Sequence, residues 1–292
     1  MDYKNLCGKE VCPMKNHSIY KRIPLYIGVA FMIFYCLFPI YFLVLDSVQP
    51  TEIAYSSPPI LYPTNFTFSN YINVFKDIPL AKYILNSTIV SLASTGIAIL
   101  IGAMLAFAIS KIRFRGSNAL LNILLIFGFF PATITIYPIY QMFAQINLLN
   151  NYLALILPYV AMSIPLTVWV LATYFDNVPT ELYESARTDG ATRFQIFYKI
   201  IMPLAIPAVS TVAILDFIAC WNEFMFALTF MTNDNMRTIT VGISLISGRF
   251  QYQYPWGEII AGALLVTLPL VIIIFVAQEK IISGLTAGAI KG

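Results

Sequence analysis

Asp216 and Glu223 are the only charged side chains in the run Leu204–Phe230. Seven residues apart on a helix, they share one face, with Cys220 between them. A charge inside an apolar span costs several kcal/mol, so such groups face a cavity or a partner. Cavity lining and structural pairing with a partner both remain open for this pair. Beside them, Trp221, Asn222 and Glu223 combine a flat apolar face with hydrogen-bonding groups. The second polar concentration is Pro179–Pro203, which carries Glu181, Glu184, Arg187, Asp189, Arg193 and Lys199 between long hydrophobic runs. Other chemistry is poorly served. Cys7, Cys12 and His17 stand five residues apart, a poor zinc pattern, and no metal site is expected. His17 is the single histidine, and there is no nucleophile–base constellation, so no catalytic residue is assigned. No G-x-x-x-x-G-K-[ST] loop cradles a triphosphate, so the chain is not expected to be an enzyme or to hold a cofactor of its own. Energy for any work must come from a partner.

Such side chains need elements to position them, and the composition says where those elements lie. The chain has 292 residues, 59% hydrophobic and 11% charged, with a mean hydropathy of +0.77. Soluble domains carry roughly 25% charged residues, so an all-α membrane protein is expected. A span needs about 20 apolar residues. The first covers Ile23–Leu45, preceded by the polar tail 1–22, which lacks a small-residue cleavage site and reads as leading into an uncleaved anchor. Residues 46–80 hold Pro50, Pro58, Pro59, Pro63 and Pro79 and read as an irregular extracytoplasmic loop. Residues 81–283 form the core. Tyr83–Ser110 is its first span, closed by the basic turn Lys111-Ile-Arg113-Phe-Arg115-Gly116. No charged residue occurs between Arg115 and Asp176, a stretch right for two spans with a break at Gln145–Asn151. A fifth span follows at Leu204–Phe230, then a polar and aromatic loop at 232–257, a sixth span at Ile259–Gln278, and a tail at 284–292.

Of the 17 Lys and Arg, only Lys76, Lys82, Arg237 and Arg249 fall outside when the N-terminus is placed inside. The positive-inside rule therefore predicts six spans with both termini and Pro179–Pro203 in the cytoplasm. None of Cys7, Cys12, Cys36 and Cys220 then lies outside the cell, so no external disulfide is expected. Asn65-Phe-Thr67 is a glycosylation sequon in an outside loop, a pattern that arises often by chance.

The stretch at 179–203 has its own local logic. Thr180 is placed as an N-cap with Glu181 in the first turn. Gly190 supplies the left-handed residue that stops the helix near Asp189. Thr192 and Gln195 have capping-box spacing for a second short helix, which carries the apolar stripe Phe194, Phe197, Tyr198 and Ile201. The product is a helix–turn–helix elbow between the fourth and fifth spans, acidic in front and apolar behind.

Glu184-Ser185-Ala186, Gly190, Ile200 and Pro203 resemble the EAA motif of ABC-importer permeases: Glu-Ala-Ala, three residues, Gly, nine residues, Ile, one residue, Leu-Pro. Every gap agrees, with Ser185 in place of Ala and Met202 in place of Leu. Asn86-Ser87, the basic turn, Trp221-Asn222-Glu223-Phe224 and Gly284-Leu-Thr-Ala-Gly-Ala-Ile-Lys-Gly292 resemble the carbohydrate-uptake branch, in particular the smaller permease subunit of maltose-type transporters. The likeness covers about Tyr71 to the C-terminus. Glu223 fits that pattern, whereas Asp216 stands where an apolar or small residue is usual.

The resemblance implies a subunit of an ATP-driven sugar importer in the prokaryotic cytoplasmic membrane. Its partners would be a second homologous permease, two ATPase subunits carrying MgATP, an extracytoplasmic sugar-binding protein and membrane lipid, with no nucleic acid. The ATPase would receive the elbow through Glu181, Glu184, Ala186, Arg187, Asp189, Gly190, Phe194 and Phe197. It would also receive the C-terminal tail through Gly284, Thr286, Gly288 and Lys291, although a frayed terminus is the plainer reading of that tail. Asp216, Trp221, Asn222 and Glu223 are the candidate translocation-cavity residues. An importer for a polyol, a glycerol-phosphate or a peptide is a near alternative. A secondary transporter is a more distant one, since inverted hydropathy repeats are not seen. A channel or scaffold subunit would leave the tail unexplained.

Overall fold

The computed structural model describes residues 19–50, 53, 61–63, 65–246 and 254–289, and side chains from residue 23 to residue 276. Cys7, Cys12, His17 and Lys291 lie outside the described residues. Among those described there is no strand, and nearly everything is helix.

Four helices are long and apolar enough to cross a membrane, or up to six if each of two bent pairs is one span. The first, α1 (Ile19–Ser47), is 29 residues long. At 1.5 Å per residue that is roughly 44 Å, more than the ~30 Å hydrocarbon layer. An aromatic ladder of Phe31, Phe34, Tyr35, Phe38 and Phe42 runs along it. Nearly the whole helix is exposed in the isolated chain. Only its C-terminal end sinks into the molecule, where Leu45, Ser47 and Gln49 are buried.

The loop that follows is not wholly irregular. It contains α2 (Ser69–Asp77), whose first turn is tied by the Ser69 N–H donating to Thr67 Oγ1 at 3.1 Å. Asn70 Nδ2 donates to the carbonyls of Ser47 and Gln49, and Asn73 Nδ2 donates to Glu258 Oε1. Nine weakly apolar residues have little helical stability alone, so these tertiary ties account for a helix that propensity did not announce.

The centre is α3 (Leu80–Phe107), extended to Ile112 by a π-helical turn at Ala108–Ile112. Its inward face is made of small residues, Ser87, Ser91, Ser94, Ala98, Gly102, Ala103 and Ala106. Inside a membrane, lipid tails compete equally for apolar side chains, so close backbone approach drives helix association instead. At Gly102 the approach is tight enough that an added Cβ would stand 2.5 Å from Thr167 Cγ2.

The uncharged stretch after the basic turn does break where polarity predicted, between Gln145 and Tyr152. Asn147 and Asn150 adopt positive φ there, a conformation asparagine tolerates better than most residues. It also breaks a second time. α4 (Ser117–Gly128) and α5 (Ala132–Gln145) meet at 90° across Phe129–Pro131. Pro131 lacks a backbone donor, and the chain turns there instead of continuing as one straight helix. α6 (Tyr152–Asn177) is capped by Asn151, whose side chain accepts from the Leu153 N–H, and packs along α3.

At the end of the elbow, the helical run Arg193–Leu204, whose last turn is α9 (Met202–Leu204), meets α10 (Ile206–Asn222) at 79° across Ala205. The expected fifth span then divides again. Glu223 and Phe224 leave helical geometry before α11 (Met225–Phe230), and a loop leads to α12 (Ile239–Ser244). α13 (Trp256–Ala289) closes the chain and packs against α10, α1 and α2. It continues through Gly284 and Gly288, so residues 284–289 extend a helix.

Candidate functional site

Two places collect the functional side chains: the elbow and a small cavity between α6 and α10. In the elbow, α7 (Thr180–Thr188) begins with Pro179 at the N-cap and no side-chain cap. Thr180 is the first helical residue, not the cap as its side chain predicted. Proline's fixed φ suits the entry to a helix, and Pro179 occupies the boundary. The far end follows the expected chemistry. Gly190 has φ +85°, and its N–H donates to Arg187 O while the Ala191 N–H donates to Ala186 O. A Cβ on Gly190 would meet nothing within 4 Å, so conformation alone explains the glycine. Thr192 and Gln195 form a complete capping box for α8 (Arg193–Ile196), with bonds of 3.3 Å and 2.8 Å. A π-helical turn, Phe197–Ile201, follows.

The two sides of the elbow are distinct. Tyr183, Ala186, Ile196, Phe197 and Ile201 are buried in a core shared with Phe107, Leu171 and Phe175. Phe107 is the hub, with ring centroids 6.2 Å from Tyr183 and 5.3 Å from Phe197. Glu181, Glu184, Arg187, Asp189, Gly190 and Phe194 are exposed. Among the described residues the two ion pairs are Arg113–Asp176 and Arg237–Asp234, so none of the elbow's carboxylates forms a direct ion pair, although the charge of Glu181 is felt by Lys111. Two members of the expected docking set therefore need correction. Ala186 and Phe197 face this chain's own core and cannot offer themselves outward. Phe194, 62% exposed, keeps its ring outside. The stripe Phe194, Phe197, Tyr198 and Ile201 splits into two i, i+4 pairs: Phe194 and Tyr198 stay exposed with rings 5.4 Å apart, while Phe197 and Ile201 enter the core around Phe107.

The elbow is rooted by the basic turn. Lys111 is buried and its Nζ donates to Val178 O at 2.6 Å. Arg113 lies beside Asp176 at 3.6 Å, both exposed.

The second site is a cavity of about 150 Å³ lined by Tyr159, Met162, Ser163, Leu166, Asp216, Ala219, Cys220 and Glu223. Asp216 is 2% exposed and accepts a 2.7 Å hydrogen bond from Thr167 Oγ1. Glu223 is held more elaborately. Tyr159 Oη donates to Oε2 at 2.6 Å, and the Phe226 and Ala227 amides donate to Oε1 and Oε2. Those amides belong to the first turn of α11 and have no intrahelical acceptor, so the carboxylate caps the break that interrupts the expected span. Asp216 and Glu223 thus reach one cavity, although they do not lie on one uninterrupted helix. Cys220 lies between them, buried and unoxidised.

Trp221 and Asn222 do not join them. Trp221 is buried with Phe217, Ile239, Ile246 and Ala261 on the other side of α10. Asn222 is exposed and bonds back to Ile218 O. The residues that sequence reading missed are Tyr159, Ser163 and Thr167. Their hydroxyls recur every fourth position along an uncharged run, a signal available in the sequence. A second cleft, about 550 Å³ and almost wholly apolar, opens between the α4–α5 bend and α6, lined by Phe127, Phe130, Pro158, Met162, Pro165 and Phe226 among others.

Among the described residues no three His, Cys, Asp or Glu side chains are grouped to hold a metal.

The arrangement has known counterparts. The chain is 38% identical over 279 residues to the trehalose/maltose transport system permease protein MalG of Thermococcus litoralis, covering 95% of this chain and 99% of that one. The likeness thus reaches well before Tyr71. It is 35% identical to the sulfoquinovosyl glycerol transport system permease protein SmoH of Agrobacterium fabrum, over 94% of this chain and 96% of that one. Its fold matches a chain in the crystal structure of a bacterial ABC transporter involved in the import of the acidic polysaccharide alginate. That match has a TM-score of 0.71 at 21% identity, covering 89% of this chain and 96% of that chain. Residues 98–286, which include the cavity and the whole elbow, match the family model of the binding-protein-dependent transport system inner membrane component. This chain, with its bent membrane helices and projecting elbow, belongs to that family.

Proposed function

We propose that the chain is the transmembrane permease subunit of an ATP-driven sugar importer, a multi-pass protein of the prokaryotic cytoplasmic membrane. Its full-length likeness to permeases of trehalose/maltose and sulfoquinovosyl glycerol systems supports a carbohydrate cargo over a peptide or a glycerol-phosphate. The bent pair α4–α5 counts as one span and α10 with α11 as another, giving six, with both termini and the elbow in the cytoplasm. The distribution of Lys and Arg supports that orientation.

The observation that carries the mechanism is the two-sided elbow. One side is bound into the membrane core through Phe107, Tyr183 and Phe197. The other presents Glu181, Glu184, Arg187, Asp189 and Phe194 to solvent. A protrusion with fixed roots and an unpaired charged face transmits force from a partner that grips it. That partner is a cytosolic ATPase subunit, present twice, which carries MgATP. A second homologous permease supplies the other half of the pathway, and an extracytoplasmic sugar-binding protein delivers the cargo. The C-terminal segment with Gly284, Thr286, Gly288 and Lys291 makes a second contact with the ATPase. Asp216, Glu223 and Tyr159 line this subunit's share of the translocation cavity. Carboxylates accept hydrogen bonds and suit a cargo rich in hydroxyl donors.

The test is purification with the partner subunits, reconstitution and measurement of ATP hydrolysis across a panel of mono- and disaccharides. Stimulation by at least one sugar with its binding protein is expected. Copurification of no ATPase together with sugar uptake driven by an ion gradient would instead identify a secondary transporter.

A further inference from the structure

The basic turn after α3 has a role that the elbow's own residues do not cover. We infer that Lys111 is the positioning residue that fixes the elbow to α3, so that movement of the elbow enters the membrane core through α3. The inference rests on the coupling role proposed for the elbow.

Lys111 sits on the last turn of the 33-residue span Leu80–Ile112. It is 8% exposed, and buried lysines are rare without a partner. Its hydrogen-bond partner is a backbone oxygen, Val178 O, at 2.6 Å, and the carboxylates of Asp176 and Glu181 act on the same charge from farther away. Val178 is the C-cap of α6, and the next residue, Pro179, opens α7. The ammonium therefore sits where the carbonyls of α6 end and the dipole favours a cation. Beyond the Val178 N–H donating to Phe175 O and the burial of the Val178 side chain, Lys111 is the side chain that ties this junction to α3 by a hydrogen bond. Val178 is extended, with φ −71° and ψ 127°, and Pro179 has no N–H to donate. The other end of the elbow leaves through the 79° bend at Ala205, a poor conductor of axial force. α3, by contrast, packs along α6 and α10 and carries Phe107 one turn before Lys111, against both Tyr183 and Phe197. Lys111 and Phe107 thus grip the elbow at its root and on its buried face, from one helix. Arg113 is a weaker candidate, because its pairing with Asp176 is exposed on both sides.

The test uses the full importer complex reconstituted with its binding protein, reading transport and ATP hydrolysis in the same vesicles. Lys111→Met keeps the stem and removes the donor. It should leave assembly intact and lower sugar moved per ATP hydrolysed by about tenfold, the loss of one charge-assisted hydrogen bond. Lys111→Arg should recover most of that ratio, and Arg113→Gln should leave it near the wild-type value. Lys111→Gln, which buries no charge and keeps an amide donor, should fall between, and it guards against misassembly of the Met variant. An unchanged ratio in both the Met and Gln variants overturns the assignment, as does an equal loss in Arg113→Gln. If the unmodified complex itself shows no link between hydrolysis and uptake, the coupling role of the elbow fails first. A tightly coupled parent with a tightly coupled Lys111→Met variant removes only the role of Lys111.

Discussion

Gly190 gives the sharpest quantitative handle on the elbow. Its φ of +85° lies where an L side chain is strained, yet a Cβ there would meet no atom within 4 Å. Substitution therefore adds backbone strain and no collision. For alanine that strain is about 1–2 kcal/mol, a factor of roughly 5–30 in the population of the tight turn. Asparagine tolerates the left-handed region and should lose much less. Valine, branched at Cβ, should lose the most. The strain falls on the turn that sets α7 against α8, where the Gly190 and Ala191 amides close onto Arg187 and Ala186. Membrane insertion does not depend on it. The assay is sugar transported per ATP hydrolysed in reconstituted vesicles, with thermal unfolding of the solubilised complex as control. The ratio should fall in the order Gly, Asn, Ala, Val, while the unfolding midpoint moves little. Alanine and valine variants that couple as well as the parent would refute the claim that the turn's geometry matters to the machine.

Three further outcomes follow from the packing and the cavity. Gly102→Val drives a side chain into Thr167 and should cost about 1–3 kcal/mol, seen as a lower thermal aggregation midpoint in detergent; Thr167→Ser in the same chain should recover part of it, because the colliding methyl is gone. Glu223→Gln removes the negative charge facing the α11 amides and should loosen that turn by about 1–2 kcal/mol, measured as faster hydrogen exchange at Phe226 and Ala227. Asp216→Asn keeps an acceptor for Thr167 and should leave the unfolding midpoint near that of the parent, while raising the sugar concentration that half-maximally stimulates ATP hydrolysis. An unaltered half-maximal concentration would make Asp216 a structural residue.

Where local chemistry decides the structure, the chain was readable. Gly190 and the Thr192–Gln195 box form within a few residues of themselves, and the polar patch at 145–151 breaks an apolar run wherever it stands. Helix breaks driven by tertiary contacts were not. The Leu204–Phe230 run is apolar on average despite Asp216 and Glu223, so hydropathy passes straight through Glu223. There a carboxylate, two amides and a tyrosine from α6 reward the interruption. Trp221 illustrates the same limit. Cys220 and Glu223 on either side of it reach the cavity, but the rotation of α10 turns the indole into the opposite core. Phe197 was drawn away from the exposed face by Phe107, a residue ninety positions earlier whose approach no local pattern announces. α2 needed Asn70 and Asn73 to find acceptors on other segments before nine residues could hold a helix.

The most direct measurement is sugar accumulation in sealed vesicles holding the purified permease, with and without its ATPase subunits, at fixed ATP. Accumulation above the external concentration should require both ATP and the ATPase, and a Glu184→Lys exchange on the elbow's exposed face should abolish it while the protein stays in the membrane. Uphill accumulation by permease alone, or undiminished accumulation in the Glu184→Lys protein, would contradict the account.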